Sequence, residues 1–141
     1  MPVAAKRRTA MATYRVDHIH LKANDVEAAA NWYCDKLGGK ITFEGEFRKS
    51  KVFYVDLNGF NIIIFGRLEA EEEPIPASLK ARFGNDHFGF EVDDVHAAVA
   101  ELKQKGVNIL EEPWSPREGQ HIAYFEGPDH VRLEITQRDR K

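Results

Sequence analysis

The chain repeats itself, and this repeat constrains its fold more than any other feature. Asp17-His18-Ile19 opens a segment that runs into Asp25-Val26-Glu27-Ala28-Ala29; Asp86-His87-Phe88 opens another that runs into Asp94-Val95-His96-Ala97-Ala98. Each residue of the second set lies 69 positions after its counterpart. Further on, Gly38 and Ile41 answer Gly106 and Ile109 after a one-residue slip. A period this long means one supersecondary unit used twice, each copy burying its apolar face with the help of the other. A chain of 141 residues accommodates two half-size units around one core.

Each copy reads as a strand, a helix and three strands. In the first, residues 14–22 alternate in polarity, and a helix is predicted over 25–37. Val26, Ala29, Ala30, Tyr33 and Leu37 form its apolar stripe. Asn24 or Asp25 supplies the N-cap and Gly38 the stop. Strands are predicted near 40–46, 51–57 and 60–66, with Asn58-Gly59 as a tight hairpin turn. The second copy gives a strand at 86–92, a helix at 94–105 and strands near 107–112, 120–126 and 131–137, the last two joined through Gly127-Pro128-Asp129. Module one therefore spans 14–66 and module two 85–137, within one domain over 14–137. Residues 67–84, with Glu69, Glu71, Glu72 and Glu73 before Pro74 and Pro76, read as a solvated linker or a lid. Residues 1–13, including Lys6-Arg7-Arg8, read as a flexible lead-in, and Met11 as a second possible start.

Composition narrows the functional classes. A net charge of -3 gives no footprint for nucleic acid, and the longest apolar runs, such as Ile62-Ile63-Ile64-Phe65, are too short to span a bilayer. Cys34 is the single cysteine, so no intrachain disulfide forms and a cytoplasmic setting fits. On its helix it reads as a small buried hydrophobe.

Strand alternation sorts the side chains. Ile19 and Leu21 share a face, leaving His18 and His20 on the other. Phe88, Phe90 and Val92 oppose His87 and Gly89, while Leu133 and Ile135 oppose Glu134 and Arg132. With the apolar faces under the helices, His18, His87 and Glu134 belong to the helix-free face. Two imidazoles and a carboxylate suit Zn, Fe, Mn, Co or Ni, with positions left open for substrate or water.

Asp17-His18-Ile19, the run from Asp86 to Val95 and Gly127-Pro128-Asp129-His130-Val131-Arg132-Leu133-Glu134 resemble the vicinal oxygen chelate superfamily, over about Tyr14 to Gln137. That superfamily includes glyoxalase I, extradiol dioxygenases, methylmalonyl-CoA epimerase, fosfomycin-resistance enzymes and bleomycin-binding proteins. The resemblance implies an α+β fold in which two tandem βαβββ modules form a U-shaped mixed sheet with a metal-binding cup. It implies ligands on the first and last strands of each module: His18, His87 and Glu134, with the fourth place at Ile63, 71 positions before Glu134. Glyoxalase I uses four protein ligands, so Ile63 speaks against that activity. Extradiol dioxygenases and fosfomycin-resistance enzymes manage with two His and one Glu, and bleomycin-type binders lack the set.

The resemblance thus implies a divalent-metal enzyme, a lyase, isomerase or dioxygenase, acting on a small substrate with vicinal oxygens. Glu134 is then also the candidate catalytic proton carrier, with Glu44 and Glu46 as helpers. The alternative is a small-molecule binding or sequestering protein. His20, Arg117, His121 and Tyr124 are candidate substrate contacts; Phe47 and Trp114 are candidate cup-lining residues, and Trp32 and Tyr33 read as helix packing. A homodimer is expected, with modules swapped or not.

Overall fold

The computed structural model describes residues 11–140, so most of the expected lead-in, including Lys6-Arg7-Arg8, lies outside the described residues. The order is β1 (Ile19–Lys22), α1 (Val26–Leu37), β2 (Lys40–Phe47), β3 (Ser50–Leu57), β4 (Phe60–Phe65), then β5 (Phe88–Glu91), α2 (Val95–Gln104), β6 (Ile109–Arg117), β7 (Gln120–Gly127) and β8 (Val131–Arg138). A short 3₁₀ turn, Pro128–His130, precedes β8. This is βαβββ twice. The strands form two four-stranded mixed sheets, β1-β4-β3-β2 and β5-β8-β7-β6, rather than one sheet within the chain. In each, the first strand runs parallel to the last and the others pair antiparallel.

Local chemistry fixes both helices. The carboxylates of Asp25 and Asp94 each accept from the backbone N–H three residues on, Ala28 and Ala97, at 3.0 Å, filling orphan donors of the first turn. Gly38 ends α1 in the left-handed region at φ 76°, where a Cβ would be strained. β1 is shorter than the alternation from residue 14 predicts, because within the chain it pairs only with β4, from Ile19 onward; Tyr14 and Val16 are exposed. β6 is longer than expected. It runs through Pro113 and Pro116 as an edge strand with register shifts, where a missing N–H costs no ladder bond.

The helix-side faces of both sheets meet in one core that includes Val55, Ile62, Ile64, Val95, Phe125, Leu133 and the two helices' apolar stripes. Each fully buried aliphatic or aromatic side chain there contributes about 1.5–3 kcal/mol. Trp32 on α1 stacks on Phe125 of the second sheet at 6.4 Å. Lys36 donates to the Lys105 carbonyl at 2.7 Å and Lys105 to the Lys36 carbonyl at 3.2 Å, a reciprocal contact between residues 69 apart. Such reciprocity is the mark of a two-fold relation, here between modules of one chain. The opposite faces of the two sheets therefore point away from the shared core.

Candidate metal centre

Hydrogen-bond register places the residues of each outer face in rows. The central row of the second sheet is Gly89–Glu134–Tyr124–Glu111, and that of the first is His20–Ile63–Tyr54–Phe43. Ile63 thus occupies the place that Glu134 holds in the other module.

Around Glu134 the side chains converge. The Glu134 carboxylate lies 2.9 Å from His87 Nε2, and the other ring nitrogen, Nδ1, lies 2.6 Å from the Asp86 carboxylate. Tyr124 packs edge-on against the His87 ring at 5.0 Å. Burial, together with its hydrogen bond to Glu134, pushes the Tyr124 hydroxyl up to about 12, so it stays protonated. The Arg132 guanidinium lies 4.9 Å over the Tyr124 ring and 3.5 Å from Asp86. Asp86 is held below its usual range, first by the His87 hydrogen bond.

On the first module, His18 Nδ1 lies 2.7 Å from Asp17, and the His20 ring packs at a tilt against Phe65 at 4.5 Å. Burial, then the charges of Lys22 and His18, lower the His20 pKa and favour its neutral ring. Among the described residues no three of His, Cys, Asp and Glu converge on one point. The chain brings His87 and Glu134 together and leaves His18 on the other module. A nitrogen and a carboxylate in direct contact, each of a type that binds divalent ions, fit a metal as two of its ligands.

The remaining candidates divide by face. Tyr124 adjoins the His87–Glu134 pair. Arg117 lies in β6 rather than in a loop, opposite Gln120 at the hairpin end of the same sheet. His121 is not brought to this face: it alternates with Tyr124, toward the side of Ala123 and Phe125, and lies 3.3 Å from Asp139. Glu44 and Glu46 pair with Phe53 and Lys51 and alternate with Phe43 and Phe47, so they also lie off the face. Phe47 and Trp114 are on the outer faces and about half exposed. Asp86 and Arg132 were not singled out as site residues from sequence; the signal for Asp86 was present, since the same Asp-His pair opens both copies.

The chain is 31% identical to protein YaeR of Escherichia coli strain K12 over 129 residues, 88% of this chain and 96% of that one. It is 22% identical to a probable lactoylglutathione lyase of Synechocystis, over 88% and 95% of the two chains. Among solved structures, SMU.1112c superposes at a TM-score of 0.74 with 24% identity over 88% of this chain and 98% of that one. The fosfomycin resistance protein FosX of Listeria monocytogenes superposes at 0.69 with 19% identity, over 89% and 94%. The antibiotic binding protein TnmS3 of Streptomyces also gives 0.69 and 19%, over 92% and 100%. Residues 15–135 match the sequence model of the Glyoxalase/Bleomycin resistance protein/Dioxygenase superfamily, and the chain belongs to that superfamily.

Proposed function

We propose that the protein is a divalent-metal enzyme acting on a small substrate with neighbouring oxygens, its metal held by His18, His87 and Glu134. The observation that carries this reading is the direct contact of His87 Nε2 with the Glu134 carboxylate at 2.9 Å, inside a ring of Asp86, Tyr124 and Arg132. When bound, a divalent ion supplies Lewis-acid stabilisation of charge developing on substrate oxygens. His18 and His87 bind as neutral imidazoles and Glu134 as an anion. In a lyase or isomerase, Glu134 also carries the proton between substrate atoms, while the protonated Tyr124 hydroxyl donates to it. Arg132 sets a fixed positive charge beside the pair. Likeness to a fosfomycin resistance protein supports this class.

Because the outer faces point away from their shared core, His18 of one copy completes the His87–Glu134 pair of a second copy, in a homodimer. Mixing variants tests both claims. His18→Ala and Glu134→Ala are each expected to lose stoichiometric binding of Co(II). Unfolding them together and refolding restores about a quarter of the wild-type sites, since half of the dimers are mixed and each mixed dimer has one intact site. No recovery points to ligands from one chain; full binding by either variant alone rejects the ligand set.

A second reading, a binder without turnover, is favoured by the apolar outer face of module one. There Phe43 packs on Tyr54 at 5.0 Å and Phe47 on Phe65 at 5.7 Å. Likeness to an antibiotic binding protein supports it. Purified protein without metal, binding small aromatic compounds equally well in Glu134→Ala, identifies this case.

A further inference from the structure

We infer that Asp86 is a positioning residue that holds Nδ1 of His87, so that Nε2 is the nitrogen offered to a metal beside Glu134, and that Asp17 does the same for His18. The inference rests on the metal site proposed above.

Imidazole has two nitrogens, and the partner of one decides which way the other points. In both modules the aspartate immediately before the histidine takes Nδ1, at 2.6 Å in one and 2.7 Å in the other. In module two the consequence is visible: with Nδ1 held, Nε2 is the atom 2.9 Å from Glu134. A ring rotated by half a turn about Cβ–Cγ would set Cδ2 against Asp86 and Cε1 toward Glu134, losing both contacts. The orienting group is itself oriented, because Arg132 reaches Asp86 at 3.5 Å while lying over the Tyr124 ring that abuts His87. Asp17 has a different setting. Its side chain is 85% exposed, against 38% for Asp86. Water competes for the Asp17–His18 hydrogen bond, so Asp86 carries the larger effect. A carboxylate behind a metal-bound histidine fixes the ring and raises its basicity, and its loss costs about 10–100-fold in metal affinity.

The test measures Co(II) affinity by competition with a chelating dye, with the visible spectrum of the bound ion as a second readout. Asp86→Ala is expected to weaken binding by about 10–100-fold and to shift the Co(II) bands. Asp86→Asn keeps an acceptor for Nδ1–H without the charge and is expected to fall between the wild type and Asp86→Ala. Asp17→Ala is expected to weaken binding less than Asp86→Ala. Asp94→Ala, which removes the α2 cap, lowers thermal stability and leaves affinity unchanged. Wild-type affinity in Asp86→Ala, or equal losses in Asp86→Ala and Asp94→Ala, overturns the inference. If His87→Ala loses binding in the same series, that failure leaves the metal site standing. If wild type itself binds no Co(II), or His87→Ala binds as well as wild type, the metal site falls and takes this inference with it.

Discussion

The two modules share a frame and differ on one face. On the core side the rows match in kind: Ile19–Ile62–Val55–Ile41 in one module, Phe88–Leu133–Phe125–Ile109 in the other. On the outer side His20–Ile63–Tyr54–Phe43 faces a counterpart of Gly89–Glu134–Tyr124–Glu111, and only the tyrosine is kept. Packing demands apolar bulk at the first set of positions whatever the protein does. It demands nothing at the second, so residues there are free to follow chemistry. Module two spends that freedom on a charged, hydrogen-bonded cluster, and module one on aromatic surface with a single histidine pair.

The largest effect should come from erasing this contrast at its centre. Lactoylglutathione lyase chemistry moves a proton between adjacent carbons, and Ile63 offers neither a ligand nor a base on the module-one side. Loaded in turn with Ni, Co, Zn or Mn, the protein is expected to turn over the methylglyoxal–glutathione hemithioacetal far below about 10 s⁻¹, a median enzyme rate. Ile63→Glu, which copies Glu134 into module one, is expected to raise that rate. Wild-type turnover near the median would show that the asymmetry at this row does not govern the reaction.

The conserved side of the comparison has its own test. Phe125→Ala removes a fully buried ring that also supports Trp32, and is expected to cost about 3–5 kcal/mol in urea unfolding. Val55→Ala, the same place in module one, deletes less and should cost about 2 kcal/mol. Equal losses would mean that the larger ring of Phe125 and its contact with Trp32 add nothing to the core.

Much of this was legible in the sequence because the repeat doubles each signal. Asp25 was one of two cap candidates, and its repeat counterpart Asp94 caps α2 in the same way; Ile63 was located by the repeat's offset as the fourth place of the resembled ligand pattern. What failed was alternation applied unevenly. His121 and Tyr124 are three residues apart on one strand, and Glu44 and Glu46 are out of phase with Phe43 and Phe47, so neither set shares a face. Strand ends were misjudged where pairing, not propensity, decides: β1 begins only at Ile19, where its pairing with β4 starts, and β6 tolerates two prolines as an edge. The separation of His18 from His87 and Glu134 depends on how the modules pack, which no local pattern encodes.

The hairpin before each last strand gives a smaller contrast. Module one turns through Asn58-Gly59 at φ 51° and 92°, module two through Asp129-His130 at φ 58° and 55°. A left-handed conformation costs a non-glycine residue about 1–2 kcal/mol, and glycine nothing comparable. His130→Gly is therefore expected to stabilise the fold by about 1 kcal/mol after the glycine's added unfolded-state entropy, and Gly59→His to destabilise it by a similar amount. The His130–Glu126 contact, 3.4 Å and largely exposed on the histidine side, offsets little. A destabilised His130→Gly variant would show that this side chain holds the hairpin in place.

The smallest effect is expected at the seam between the modules. Tyr33 on α1 is buried and its hydroxyl has no hydrogen-bond partner among the described residues. The oxygen lies against Gly127, where a Cβ would come within 3.3 Å of it. The counterpart of Tyr33 in the repeat is Leu102, also buried, so the position itself calls for apolar bulk. An unsatisfied buried hydroxyl pays its desolvation without return. Tyr33→Phe is thus expected to leave stability unchanged or raise it by less than about 1 kcal/mol. The sign with pH follows from burial, which together with the nearby Asp129 charge pushes the phenol's ionisation well above its ordinary value of 10.0. Between that value and the folded one, the unfolded chain loses a proton that the folded chain keeps. This phenol's contribution is fully present below pH 10 and drains away as pH rises above it. Urea titrations at pH 7 and pH 10.5 should show Tyr33→Phe losing less stability than the wild type across that interval. A variant markedly weaker than wild type at pH 7 would mean that the hydroxyl has a partner, and that the seam is held by a polar contact module two does not reproduce.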